Sequence, residues 1–281
     1  MRIDAHQHFW HYNPDEHVWM TAGMESLKRD FLPDDLAPLL KQTGLQQTIA
    51  VQARQNLQET EWLLQLADQN PFIAGVVGWV DLRSTQIKSQ LEKYSPHPKL
   101  VGVRHVVHDE PDDRFMLQPE FLHGLSLLAD FNLVYDLLLF PRHLPVAVEV
   151  VQRFPNQCFV LDHIAKPLIR DRRLEPWAAD LHSLGRLSNV SCKISGMVTE
   201  AAWNGWQAAD FRPYLDVVLE SFGEDRLMFG SDWPVCTLSA DYAEVAAILE
   251  AYMQGMSNEA QAKIWGLNAA RIYGLSRSPE S

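Results

Sequence analysis

The residues with the clearest capacity for chemistry stand at the start of the chain. His6 and His8 lie two apart in Arg-Ile-Asp-Ala-His-Gln-His-Phe-Trp. On a β-strand alternate side chains share a face, so these imidazoles leave the backbone on one side, about 7 Å apart at their base. At a strand's end they can converge on one small polar centre, either a metal ion or the reacting atom of a substrate. Alone, a His-x-His pair says little. Its weight comes from the seven later apolar runs that end in the same way. The second closes with Gln52 and Arg54, the third with Trp79 and Asp81, the fourth with Arg104 and His105, the fifth with Tyr135 and Asp136. The sixth closes with Asp162-His163-Ile-Ala-Lys166-Pro167, the seventh with Lys193 and Ser195, the eighth with Ser231-Asp232-Trp233-Pro234. Each polar residue singly could be a cap or a solvated turn; eight in succession are hard to obtain from structural needs alone.

The elements that must position these groups read as strands near 3–9, 48–52, 73–80, 100–107, 133–139, 158–162, 190–195 and 226–230. Most are nearly continuous in hydrophobicity, as parallel strands buried on both faces are. Between them run helical stripes, such as Leu144, Val148 and Val151, then Tyr214, Val218 and Phe222, then Tyr242, Val245 and Leu249. Asn56 and the segment Asp81-Leu-Arg-Ser84 offer helix N-cap chemistry just after strands. Eight β-then-α units without a domain break predict a closed (β/α)8 TIM barrel, a single α/β domain over 1–281. A doubly wound open sheet is the alternative, but no Gly-rich phosphate loop follows the first strand. In a barrel, chemistry belongs at the C-terminal strand ends, where this chain carries it. Residues 10–31 hold Trp10, Tyr12, Trp19 and Met20 among charges. They read as a lid over the mouth or as a surface excursion with two buried anchors.

Bulk properties narrow the class. The chain has 281 residues, 47% hydrophobic, enough for a large core. Its 24 basic and 36 acidic residues give a net charge of −12, which disfavours a nucleic-acid surface. No apolar run approaches the roughly 20 residues of a membrane span, and no signal-peptide core opens the chain. Three cysteines, Cys158, Cys192 and Cys236, lack C-x-x-C spacing, so core filler in a reducing cytoplasm is the expectation.

Several ordered segments resemble the amidohydrolase superfamily, in its amidohydrolase-2 branch of sugar-lactone and pyrone-dicarboxylate lactonases. They are Asp-Ala-His6-Gln-His8-Phe-Trp, Gly102-Val-Arg104-His, Leu-Asp-His163-Ile-Ala-Lys-Pro, Lys193-Ile-Ser-Gly, Phe-Gly-Ser-Asp232-Trp-Pro and Asn268-Ala-Ala-Arg-Ile-Tyr-Gly. The resemblance spans essentially the whole chain and implies a (β/α)8 hydrolase. Two departures from the wider superfamily matter. Arg104-His105 occupies the fourth strand where binuclear members carry a bridging Lys or Glu, and Tyr135-Asp136 replaces a frequent fifth-strand His. Both argue against a two-metal site. One divalent ion on His6, His8 and Asp232, with zinc as the expected metal and His163 as a further ligand, is one reading; metal-independent catalysis is the other.

Roles follow from residue type. Asp232 comes straight after Leu-Met-Phe-Gly, where an unpaired carboxylate is costly, so it is paired, coordinated or a general base for water; capping before Pro234 is its structural alternative. His163 can polarise a carbonyl oxygen. Lys193 can add charge at the oxyanion or pair with Asp232, while Lys166 reads as a turn residue orienting its loop. Arg104, His105, Trp10, Trp79 and Trp233 are the candidates for substrate contact. Few arginines and several indoles suit a neutral polyhydroxylated ring better than a di- or tricarboxylate. The expected activity is therefore hydrolysis of an aldono-lactone such as L-fuconolactone, a small molecule, with no nucleic-acid or membrane partner and the oligomeric state open. A cyclic-amide hydrolase, a metal-dependent decarboxylase and a non-catalytic sugar-acid binding barrel are the alternatives.

Overall fold

The computed structural model describes residues 1–275. Strands β1 (Ile3–Gln7), β2 (Gln47–Val51), β3 (Ile73–Gly78), β4 (Leu100–His105), β5 (Val134–Leu137), β6 (Phe159–Leu161), β7 (Val190–Ile194) and β8 (Leu227–Phe229) pair in parallel in that order. A doubly wound sheet would reverse its strand order; this one never does. The main helices are α1 (Pro33–Thr43), α2 (Leu57–Gln69), α3 (Ile87–Tyr94), α4 (Pro119–Leu127), α5 (Leu144–Arg153) and α6 (Trp177–Gly185). The short α7 (Met197–Glu200) follows β7, then come α8 (Ala208–Phe222), α9 (Tyr242–Tyr252), α10 (Asn258–Ala262) and α11 (Asn268–Ile272). The eight expected strands are all present. Several stop a residue or two early, which leaves His8, Gln52, Asp162, Ser195 and Asp232 just past the ladder, where the backbone is free to bend.

Two apolar regions hold the cylinder together. Inside it, Ile3, Ala5, Ile49, Val51, Val77, Val101, Val134, Val160 and Met228 pack with Ala269 and Tyr273 of the last helix and its flank. Outside, the opposite strand faces meet the helices. The expected stripes on α8 and α9 are buried, and Asn56 caps α2 through Glu59 N–H at 2.8 Å. Asp81 and Ser84 are different. Ser84 N–H bonds Asp81 O, and α3 begins only at Ile87 without a side-chain cap, so this pair closes a turn instead of starting a helix.

The seam between β8 and β1 is fastened mainly by side chain and strand-end backbone. Beyond a bridge at Gln7 and Trp233, His8 N–H donates to Trp233 O (2.7 Å) and Asp232 N–H to His6 O (2.8 Å). Asp4, fully buried, accepts from Ser231 N–H (2.8 Å), Ser231 Oγ (2.6 Å) and Tyr242 OH (2.8 Å). The register of β1 on β2 breaks between Asp4 and Gln7. That bulge lets Ala5 and His6 both face inward, Ala5 into the apolar interior and His6 onto Asp162 and Lys193. Cys192 and Cys236 are buried free thiols and Cys158 is half-buried and free. Among the described residues, no helix is long and apolar enough to cross a membrane.

Candidate active site

The C-terminal strand ends surround one cavity of about 460 Å³, a normal size for a small-molecule site. His8 and Trp10 reach it from the end of β1, Arg104 from β4, His163 and Lys166 after β6, and Asp232 after β8. Trp19 and Met24 come from residues 10–31. That segment is clasped at its base, because Trp10 and Phe31 exchange both backbone hydrogen bonds (3.0 and 2.9 Å). Its outer part is tied down by the Glu16–Arg54 ion pair.

At the floor, three imidazoles surround a carboxylate. Asp232 Oδ1 lies 3.4 Å from His8 Nε2 and 3.8 Å from both His6 Nε2 and His163 Nε2. Burial alone would raise the Asp232 carboxyl; the neighbouring His163, His8 and His6 rings outweigh it and hold the group well below the usual carboxylate range. Asp232 adopts a left-handed backbone (φ 59°), which Asp tolerates better than most residues. Its side chain caps no helix. His163 is neutral, its pKa lowered by burial to about 3, and its Nδ1 meets Ser195 Oγ at 2.8 Å. Two glycines make room for the rings. A Cβ on Gly196 (φ 63°) would sit 2.6 Å from His163 Nδ1, and one on Gly230 would sit 2.7 Å from His6 Cβ.

Hydrogen bonds hold the His6 and His8 rings in place. His8 Nδ1 faces Val51 O at 2.8 Å and must therefore donate. His6 Nδ1 faces both Asp162 Oδ1 and Lys193 Nζ at 3.2 Å, and Arg104 Nη1 approaches His6 Nε2 at 3.3 Å. Both rings turn Nε2 toward each other, 3.2 Å apart, beside the Asp232 carboxylate. The ligand atoms of His6, His8 and Asp232 lie within 4.8 Å of one another, and a divalent metal ion fits this donor set. His6, Asp162 and His163 also cluster, but Asp162 is already taken by two cations.

Those cations form a charge layer beneath the histidines. Lys193 Nζ donates to Asp136 (2.5 Å) and lies 3.1 Å from Asp162, and Arg104 Nη1 bonds Asp162 at 3.0 Å. All four groups are buried. Burial pushes the Asp136 carboxyl up to about 6 against the pull of Lys193, whereas Lys193, His6 and Arg104 keep Asp162 well below its ordinary value despite burial. Tyr273 OH closes the layer from below on Asp136 (2.8 Å).

The geometry sorts the expected residues. His6, His8, His163 and Asp232 meet, and Trp10 and Arg104 line the cavity. Lys193 does not reach it. It is fully buried under His6 and pairs with Asp136 and Asp162, not with an oxyanion or with Asp232. Trp79, His105 and Trp233 also turn away. His105 stacks on Phe115 (4.9 Å), gives its Nε2 to Glu110 (2.7 Å) and takes the Trp79 indole N–H (3.4 Å). Trp233 packs edge-on against Phe9 and Phe31. Lys166 sits in the turn after β6 as expected, and its side chain also lines the cavity. His108, Phe140, Glu200 and Trp203 line it unforeseen. They belong to loops and α7, where no strand-end position marks them. Asp162 was visible beside His163, but its partnership with His6 was not.

Comparison with known proteins agrees with this architecture. A family model described as amidohydrolase matches residues 3–275. An L-fucono-1,5-lactonase from Burkholderia multivorans is 44% identical over 98% of this chain and 96% of its own. A protein of that name from Burkholderia ambifaria is 36% identical, with 98% and 96% covered. A crystal structure of a Burkholderia multivorans amidohydrolase with bound zinc superposes with a TM-score of 0.95 at 44% identity, covering 98% of this chain and all of that one.

Proposed function

The chain belongs to the amidohydrolase family, and from that premise we propose that it is a hydrolase opening the ring of a sugar lactone to the hydroxy acid. The observation that carries the reading is the Asp232 carboxylate, ringed by three imidazoles at the floor of a cavity walled by Trp10, Trp19, Trp203 and Phe140. The L-fucono-1,5-lactonase name of two relatives supports a six-membered aldono-lactone as substrate. Arg104 already donates through Nη1 to Asp162 and through Nη2 to Gln52, which favours a neutral ring over an aromatic acid.

Asp232 is the general base. Its imidazole contacts run through Oδ1, so Oδ2 is the oxygen left to take a proton from water as the water oxygen bonds the carbonyl carbon. Ser195 Oγ–H donating to His163 Nδ1 leaves the neutral ring's Nε2–H to stabilise the oxyanion. Collapse of the tetrahedral centre breaks the ring C–O bond, and Asp232 returns its proton to the departing alkoxide. The divalent ion, zinc by analogy with the Burkholderia multivorans structure, would supply Lewis acidity at the carbonyl and a more acidic water. Residues 10–31, which bring Trp10, Trp19 and Met24 to the wall, act as a lid that limits water in the cavity. The cytoplasm suits the three free cysteines.

The test is a pH-indicator assay on sugar lactones, cyclic amides and aromatic acids, with elemental analysis of the same sample and chelated and zinc-restored arms. Sugar-lactone turnover and about one zinc per chain is the expected result. Cleavage confined to amides, or loss of carbon dioxide from acids, would overturn the substrate reading. Full activity of a demonstrably metal-free sample would overturn the role of the ion.

A further inference from the structure

The chemistry above uses the floor of the cavity and leaves polar side chains on its wall without a task. Resting on the lactonase reading, we propose that Lys166, Glu200 and His108 form a hydroxyl-recognition wall selecting a lactone that carries neighbouring hydroxyls on carbons away from its carbonyl.

The first support is a strained backbone. His163, Ile164, Ala165 and Lys166 are four successive non-glycine residues with left-handed φ of 54°, 48°, 59° and 49°. Each such residue costs about 1–2 kcal/mol, and strain of this kind gathers where a site needs it. Reversing the chain after β6 does not require four. The run buries Ile164 and Ala165 in the core and sends His163 and Lys166, three apart, into the same cavity. It is locked by Lys166 N–H on His163 O (2.8 Å) and by the Trp177 indole on Ile164 O (2.7 Å). A residue needed only to turn the chain would have no reason to be aimed inward.

The second support is the partner it finds. Lys166 Nζ donates to Glu200 Oε1 at 3.1 Å, and both side chains line the cavity, only 15% and 21% exposed. The contact satisfies one bond of each partner. An ammonium with three donors and a carboxylate with several acceptor sites nonetheless keep capacity for more bonds. Side by side, they present a donor to one hydroxyl oxygen and an acceptor to the proton of its neighbour.

The third support is an orphan. His108 stacks on Phe140 (4.7 Å, 17°), and its Nε2 lies 3.3 Å from Asp109 Oδ1. Its Nδ1 is buried without a hydrogen-bond partner among the described residues. A buried, unmade hydrogen bond costs about 1–3 kcal/mol, and His108 carries one on a ring that lines the cavity. Trp10, Trp19, Trp203 and Phe140 supply apolar faces for the ring carbons. The wall therefore suits a neutral polyol ring, which a bare lactone would leave unpaired.

The test compares kcat/KM for L-fucono-1,5-lactone with that for δ-valerolactone, the same ring without hydroxyls, in the full-length protein and in Lys166→Met, Glu200→Gln and His108→Phe. The ratio between the two substrates should fall about 10- to 100-fold in each variant, since a site built to bond hydroxyls discriminates through them. An unchanged ratio, or an equal loss on both lactones, would overturn the proposal by reducing these residues to a structural role. Glu200→Gln, nearly isosteric, decides the matter if Lys166→Met does not fold. Should the unaltered protein cleave neither lactone, the lactonase reading falls and this inference with it.

Discussion

Asp232 sits where two demands meet. Its carboxylate must stay ionised while nearly buried, and the surrounding imidazoles achieve this by outweighing desolvation. Replacing it with Asn keeps the shape and removes the proton acceptor, so turnover should drop by about 10³-fold or more, while circular dichroism and the melting midpoint stay near those of the parent protein. Undiminished turnover in Asp232→Asn would remove it as the base. The His6 and His8 pair illustrates how groups behind the rings, Val51 O on His8 and Asp162 with Lys193 on His6, hold Nδ1 so that Nε2 faces the centre. Lys193 stands one layer further down. Its charge neutralises Asp136 and Asp162, so truncating it leaves two buried carboxylates under-compensated instead of an oxyanion unattended.

At the scale of elements, the seam between β8 and β1 is the part of the barrel that regular strand pairing does not supply. Asp4 joins the loop after β8 and the first turn of α9 to β1 through three hydrogen bonds besides that from His6 N–H. Asp4→Ala strands the Ser231 N–H, the Ser231 hydroxyl and the Tyr242 phenol in a buried site. We expect a loss of about 3–5 kcal/mol in urea unfolding, accompanied by lower activity because Asp232 and His6 flank the same seam. A loss under 1 kcal/mol would mean that the strand-end backbone bonds close the barrel unaided. The bulge in β1 is the other decisive element feature, since it turns His6 inward one residue after Ala5.

For the whole molecule, the balance of buried histidines sets the response to acid. His6, His105, His108, His143 and His163 all have pKa values lowered chiefly by burial, to about 2 for His108 and about 3 for His163. In the unfolded chain a histidine takes up a proton below about pH 6.5, whereas these folded rings take it up only at lower pH. The unfolded state then binds more protons, so stability falls as pH drops through 6.5 and continues to fall toward pH 3. Between about pH 6.5 and their lowered values, His108 and His163 each steepen the slope by up to roughly 1.4 kcal/mol per pH unit. Replacing His108 with Asn should flatten the stability curve between pH 6 and 4 by about one ring's share, read from denaturant unfolding at several pH values. A parallel, unflattened curve would show that His108 is protonated in the folded state. The net charge of −12 works in the opposite sense, because mild acid relieves repulsion at the surface.

The eight strands, their order and the polar residue closing each were legible in the sequence because hydrophobic runs and their period are local properties. The pairing of His6 with His8 was legible for the same reason, with only two residues between their backbones. Which distant groups would meet was not. Trp79, His105 and Trp233 occupy strand ends as favourable as that of Arg104, yet they turn into packing against the outer helices and the clasped loop. His108, Lys166 and Glu200 reach the cavity from a loop, a left-handed turn and a four-residue helix. Tyr273 comes up from the opposite end of the cylinder to hold Asp136. Such encounters depend on the stagger of a closed barrel and the path of each loop, which only the fully packed chain decides.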